Sequence, residues 1–533
     1  MNKTKKTIAF IMAMVSIITL SACSRGQIAS VGTGEYPGAE VTLNGDNIYP
    51  VQCDDTLTWW KDMSDLGTTY ENFGDTPIAK KLHEETGINV EYMHPAQGQG
   101  DEQIQLLIAS DDLPDIVKYS WNSYPGGPEM AINDEYIYEL GDLIDKFAPA
   151  LKKTLADNPE WDRQIKTDNS KYFSIPTFSE PGLLQICYGP TIRADWLKKV
   201  NMEAPTTIEE WEKVLTAFKD MGVEYPFIGS FGQLLTTFAS GFGFNSGWYH
   251  NDGQIKYGLA QPEYKEFLHT MSRWYKNGLI HPDFVSMDSA KINSDILNGK
   301  AGSTIFWAGS QMLPIIKAGE SVNGFEIMGV QFPSEKKGEN AEYSYVMAQV
   351  LIAGGSAIST NCKNPELAMR LIDYTFTDKG RMLSCFGIEG ESYNMVDGYP
   401  TYTDVIQNNP QGYTKAQAIA AYTLNGHVPM VYDPRYIVQY YAEPELSAAQ
   451  KEWNKTNMND HVLPELYVPE EESATFSDIM VSVSTYADEM AIKFITGGES
   501  LDKFDEYVKQ LETFGLNDAI KFKQDAYKRY MER

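Results

Sequence analysis

The sequence predicts an α/β chain built as at least two lobes, and three observations carry that expectation. From Thr56 onward, strand-like runs alternate with helical stretches: LTWW, a helix near 76–86, INVEYM, a helix near 101–110, then DIVKY. The chain has 533 residues, whereas a single hydrophobic core stops growing at about 250–300 residues. Amphipathic helical stretches recur as far as the C-terminus.

Two helices are legible in detail. In PTTIEEWEKVLTAFKDMG, Thr207 and Glu210 have capping-box spacing, and Ile208, Trp211, Leu215 and Phe218 share one face, so Trp211 is assigned to the core. Near the C-terminus, Ile479, Val483, Tyr486, Met490 and Phe494 form a stripe that ends at Gly497-Gly498, with two shorter helices to Arg533. Such stripes pack within a fold.

The N-terminus carries an address. Lys3, Lys5 and Lys6 precede an apolar run from Ile8 to Leu20, then the small residues Ser21 and Ala22, which is the order of a secretory signal. At about 1.5 Å per residue this run is too short to span the roughly 30 Å of hydrocarbon in a bilayer. Leu20-Ser21-Ala22-Cys23 resembles a bacterial lipobox. That resemblance implies cleavage after residue 22 and acylation of Cys23, with the lipid as anchor. Gly26, Gly32, Gly34, Pro37, Gly38, Gly45 and Pro50 give residues 23–54 the composition of a flexible tether.

Composition removes several function classes. With 44 Lys and Arg against 73 Asp and Glu, the net charge is −29, which disfavours nucleic acid and anionic lipid surfaces. Cys53, Cys187, Cys362 and Cys385 form no C-x-x-C pair and so no thiolate metal site. They fit either buried thiols or one disulfide. There is no G-x-S-x-G elbow, no H-E-x-x-H pair and no phosphate-cradling glycine loop. No cofactor is implied. Among so many carboxylates a paired glycosidase site stands open, but nothing singles out a pair.

Several segments together resemble one family, the extracellular solute-binding proteins, family 1, of ABC importers, in the long lipoprotein branch that serves oligosaccharides. They are IRADWLKKVNMEAPTTIEEWEKVLTAFKD (192–220), EYKEFLHTMSRWYKNGLIHPDF (263–284), NGKAGSTIFWAGS (298–310), GIEGESYNMVDGYPTYTD (387–404) and the C-terminal run from FITGGES. The resemblance implies a two-lobed periplasmic-binding-protein fold, type II, with an inter-lobe hinge and a ligand cleft. By analogy the chain crosses between lobes near 180–186, 350–356 and 426–432. The N-terminal lobe would then hold 55–181 and 354–428, and the C-terminal lobe 182–353 and 429–533. Long members carry a calcium loop after the helix ending near Lys219; here only Asp220 to Glu224 intervenes, so no metal is expected there.

Sugars present apolar C–H faces and rings of hydroxyls, so exposed aromatics beside polar side chains are the candidate contacts. Trp307 ends the run Ser303–Phe306, where the family places a stacking aromatic. Trp59 and Trp60 end the first strand, and Trp121 with Asn122 follows DIVKY, where open α/β sheets hold ligands. Alternation along the strand lets one of Trp59 and Trp60 reach the cleft. Trp248 and Tyr249 sit in the glycine-rich FGFNSGWYHNDG. Glu391 and Tyr393 match a family segment near the cleft, and Glu180 lies by the first crossing. Trp196 and Trp274 are assigned to packing. The reading is a monomeric, non-enzymatic, membrane-anchored extracellular component of an ABC importer that delivers a carbohydrate to permease subunits. The alternatives are a secreted glycan-active enzyme and a peptide-binding or sensory receptor on the same fold.

Overall fold

The structure is a computed structural model that describes residues 36–45, 47–179, 186–347 and 350–533. Its strands run in chain order as β1 (Thr42–Asn44), β2 (Asn47–Gln52), β3 (Thr56–Trp60), β4 (Asn89–Met93), β5 (Ile116–Lys118) and β6 (Ile175–Phe178). They continue as β7 (Tyr188–Arg193), β8 (Tyr225–Phe227), β9 (Trp248–Asn251), β10 (Gln254–Tyr257), β11 (Ala301–Trp307), β12 (Ile327–Gly329) and β13 (Val350–Ile358). The last pair is β14 (Tyr393–Val396) and β15 (Tyr399–Tyr402).

Two separate sheets divide the chain into two lobes. The first has the order β4-β3-β5-β13-β6 and the second β12-β7-β11-β8. In the first, β3 is parallel to both β4 and β5 while β13 enters antiparallel to β5 and β6. In the second, β11 is antiparallel to β7 and parallel to β8. The inner strand β11 is buried along almost its whole length, as a strand covered on both faces is, whereas the edge strand β4 is largely exposed.

The chain passes between the sheets three times. The first passage joins β6 to β7, and the second joins β12 to β13 and is complete by Val350, which pairs with Phe178. The third comes after Tyr440. Val431 and Tyr432 still pair with Phe178, and the helix Pro434–Tyr440 holds β15 through Gln439, which donates to Pro400 and accepts from Tyr402. The next helix, Pro444–Trp453, lies on the second sheet, where Trp453 donates to the Pro190 carbonyl at 3.0 Å. Gly189 and Gly329 admit it, since a Cβ at either would sit within 2.5 Å of Trp453 or Ala449. Second and third passages therefore fall before 350 and after 440, not at 350–356 and 426–432.

The capped helix forms as its sequence dictates, over Ile208–Asp220, with Trp211, Val214, Leu215 and Phe218 buried. Thr207 accepts from the Glu210 amide, but the Glu210 carboxylate reaches back to the Thr206 amide and hydroxyl, one residue earlier than a capping box requires. The C-terminal stripe is the helix Glu470–Thr496, stopped by Gly497 at φ +82°. Tyr486 stacks on Tyr507. The tether is shorter than its composition suggests. Tyr36 packs on Phe147, β1 and β2 form a hairpin, Tyr49 donates to the Arg370 carbonyl at 2.6 Å, and Asn364 ties down Ala39 and Asp55. Buried rings and side-chain hydrogen bonds outweigh the glycines and prolines there. All four described cysteines are free thiols, three of them buried.

Candidate functional site

Antiparallel pairing of β11 with β7 sets Trp307 opposite Tyr188, and their rings stack at 4.7 Å with 27° between planes. Tyr345, on the second passage, meets both rings edge-on at 5.3 and 5.7 Å. All three are partly buried. The passages converge here. The Cys187 carbonyl accepts from Ala308, and its thiol, pushed up to about 11 by burial, lies 3.2 Å from the Met347 sulfur. Tyr440 covers Gly309, where a Cβ would fall 2.7 Å from its hydroxyl. Tyr432, Tyr436 and Tyr440 stack in series just before the third passage. Gln311 accepts from the Trp307 amide, holding the strand end. Burial raises the Tyr345 hydroxyl to about 12, so these phenols stay neutral and able to donate.

From this cluster a crevice runs between the lobes. Tyr345 and Trp248 line a 300 Å³ space whose far wall, Val462 and Leu463, is shared with a 350 Å³ space beside His250 and Arg163. Glu465 then joins that space to a 560 Å³ cavity between Asn122, Glu129 and Thr167–Asn169 on one lobe and Tyr467, Lys523 and Arg529 on the other. Volumes of about 300–1,000 Å³ are those of ligand pockets.

The C-terminal helix Leu516–Glu532 closes one side. Arg529 pairs with Asp168 at 2.6 Å, Arg533 reaches the other oxygen of the same carboxylate, and Tyr530 donates to Glu160. Nearby, burial pushes the Glu465 carboxyl up, opposed by the Lys523 ammonium and the Asn122 amide. Burial pushes the Lys523 amine down, opposed by Glu465.

The structure brings Trp307, Trp248 and Asn122 onto this connected surface and leaves other expected residues elsewhere. Trp59 is 0 % exposed, stacked on Tyr92, and Trp60 is 4 % exposed beneath the helix Gly100–Ser110, so neither indole offers an open face. Trp121 is likewise 0 % exposed against Tyr119. Sequence position put these rings at strand ends, but the helix Gly100–Ser110 closes over Trp60 and the rings of Tyr92 and Tyr119 cover Trp59 and Trp121. Tyr249 is buried against Tyr343. Tyr393 packs on Phe386 in the β14–β15 hairpin, with Glu391 exposed beside it. Trp196 and Trp274 are core residues. Glu180 and Cys23 lie outside the described residues.

Sequence reasoning missed Tyr188, Tyr345 and the Arg529–Asp168–Arg533 clamp, because their partners are far away in the chain. It also missed Lys61, 0 % exposed directly after β3, with its amine 2.8 Å from His427 Nδ1 and over the Phe73 ring. Burial drives the Lys61 and His427 pKa values down, and neighbouring Lys118 adds to both. A lysine directly following a strand's apolar run was the available signal. Among the described residues, no group of three or more His, Cys, Asp or Glu side chains is placed to hold a metal, and no helix is long and apolar enough to cross a membrane.

Residues 62–382 match the family model for bacterial extracellular solute-binding proteins. The fructooligosaccharide ABC transporter substrate-binding protein FusA of Streptococcus pneumoniae serotype 4 is 24 % identical over 98 % of this chain and 97 % of its own. Lipoprotein LipO of Bacillus subtilis is 22 % identical over 84 % of this chain and 88 % of its own. Among solved structures, the alginate-binding protein AlgQ2 without calcium ion superposes with a TM-score of 0.70 at 25 % identity, covering 89 % of this chain and 98 % of that one.

Proposed function

The chain belongs to the bacterial extracellular solute-binding protein family, and from that premise we propose that it captures an oligosaccharide between its lobes and delivers it to the permease of an ABC importer. Membership places it outside the cytoplasm. The observation that carries the reading is the Tyr188–Trp307–Tyr345 cluster, where apolar ring faces and neutral hydroxyls meet at the convergence of three passages. Rings of this kind stack on sugar C–H faces, and phenols, amides and carboxylates exchange hydrogen bonds with hydroxyls.

Closure follows from where the contacts lie. A ligand touching Trp307 on one lobe and Asn122 on the other makes both contacts only when the lobes are together, so binding shifts the population toward the closed form. The permease then reads the closed surface. Binding needs no activated nucleophile, and the protein acts without catalysis as a monomer. Cys23 carries the lipid that keeps it at the membrane, in line with the lipoprotein relative.

A thermal-shift screen of residues 24–533 against defined oligosaccharides tests this. A ligand at a hundredfold its Kd adds about 2.7 kcal/mol of stability. A shift with a saccharide and no turnover of it is the expected result. A shift with peptides alone would support the receptor reading, and turnover would support the enzyme.

A further inference from the structure

Carboxylates outnumber cations in the inter-lobe crevice. Among the described residues its walls carry three cations. Arg529 pairs with Asp168 at 2.6 Å, Arg163 faces Glu160 at 3.8 Å, and Lys523 lines the same cavity as Glu465, whose charge opposes the lowering of the Lys523 pKa. Further carboxylates, Glu129 and Glu471, line the same walls. With five carboxylates on the walls against three cations, a carboxylate arriving with a ligand meets net negative charge, and desolvating it there is costly.

Two atoms without a partner beside the crevice are uncharged. Asn122 Oδ1 and His250 Nδ1 are buried and have no hydrogen-bond partner. Burial and the neighbouring His461 lower the His250 pKa, so its ring is neutral at neutral pH. An amide oxygen needs a donor, which a sugar hydroxyl supplies and a carboxylate does not; a carboxylate would set lone pair against lone pair. His250 lines the space that shares Val462 and Leu463 with the one at Tyr345 and Trp248, and Asn122 lines the larger cavity that Glu465 also borders.

We infer that this crevice selects neutral, hydroxyl-rich oligosaccharides and excludes acidic ones, with Asn122 and His250 as hydrogen-bonding specificity residues. The inference rests on the carbohydrate reading above and narrows it to a substrate class.

The test compares neutral fructo-, malto- and galacto-oligosaccharides with oligogalacturonates of matched length by calorimetry at low and high salt. A neutral sugar should bind with salt-independent affinity, and oligogalacturonates should bind roughly a hundredfold more weakly or not at all. Oligogalacturonates binding as tightly as the best neutral sugar would overturn the inference and leave the carbohydrate reading intact. Silence from both panels would remove both. Asn122→Ala, folded by circular dichroism, should weaken the neutral ligand about tenfold; unchanged affinity would take Asn122 out of the recognition. Glu465→Gln removes one carboxylate beside Lys523 and should admit oligogalacturonate at low salt only, whereas a folded variant that still excludes it would show that charge is not the filter.

Discussion

The indole of Trp307 and the phenol ring of Tyr188 are directly opposed in the β7–β11 ladder and stack at 4.7 Å. One ring ends a strand of the second sheet and the other begins the strand that receives the first passage, so the stack sits where the lobes are joined. A ligand reaching it touches the second sheet and the hinge together.

Trp307→Ala should lower ligand affinity by about tenfold or more while leaving the fold intact, because aromatic anchors dominate binding energy and this one is only partly buried. Calorimetry with circular dichroism checks both halves. Unchanged affinity would remove Trp307 from the site.

Asp168→Asn should loosen the closed state. It leaves Arg529 and Arg533 facing a neutral amide across the lobes, at an expected cost of about 1–3 kcal/mol for these largely buried groups. Small-angle scattering of the unliganded variant should give a larger radius of gyration than wild type, and thermal unfolding a lower Tm.

Asp373 makes one part of the pH dependence predictable. Burial raises its pKa from 3.8 to about 6, with the Leu151 amide donating to Oδ1. Between those values the folded protein keeps a proton that the unfolded chain has lost, so this group's contribution to stability falls as pH rises from about 4 to about 6. Asp373→Asn keeps the acceptor oxygen but not the titration. Its stability relative to wild type should therefore increase across that window by up to about 3 kcal/mol, read from denaturant titrations at each pH.

Cys23→Ser should release the protein into the medium with its ligand affinity unchanged. Immunoblots of membrane and culture fractions, with calorimetry on the released protein, check this. Retention at the membrane would count against lipidation.

Local patterns carried far. The helix beginning at Ile208 and the stripe from Ile479 to Phe494 were legible because helical periodicity and caps act over a few residues. Trp307 was legible as the end of an apolar run. Trp59, Trp60 and Trp121 looked equivalent to it, yet the helix Gly100–Ser110 covers Trp60 and the rings of Tyr92 and Tyr119 cover the other two. Residues 36–54 looked like tether because composition counts glycine and proline, while Asn364 and Arg370, over 300 residues on, hold that segment down.

The sequence by itself determined the α/β alternation, the acid balance, the helices and, through the order of its segments, the family. Tertiary structure alone decided which aromatics keep an open face, that Asp168 is gripped by Arg529 and Arg533, and that carboxylates outnumber cations in the crevice. The physical reason is range: propensity and periodicity act between neighbours in the chain, whereas stacking, ion pairing and desolvation depend on groups that only folding brings within a few ångströms of one another.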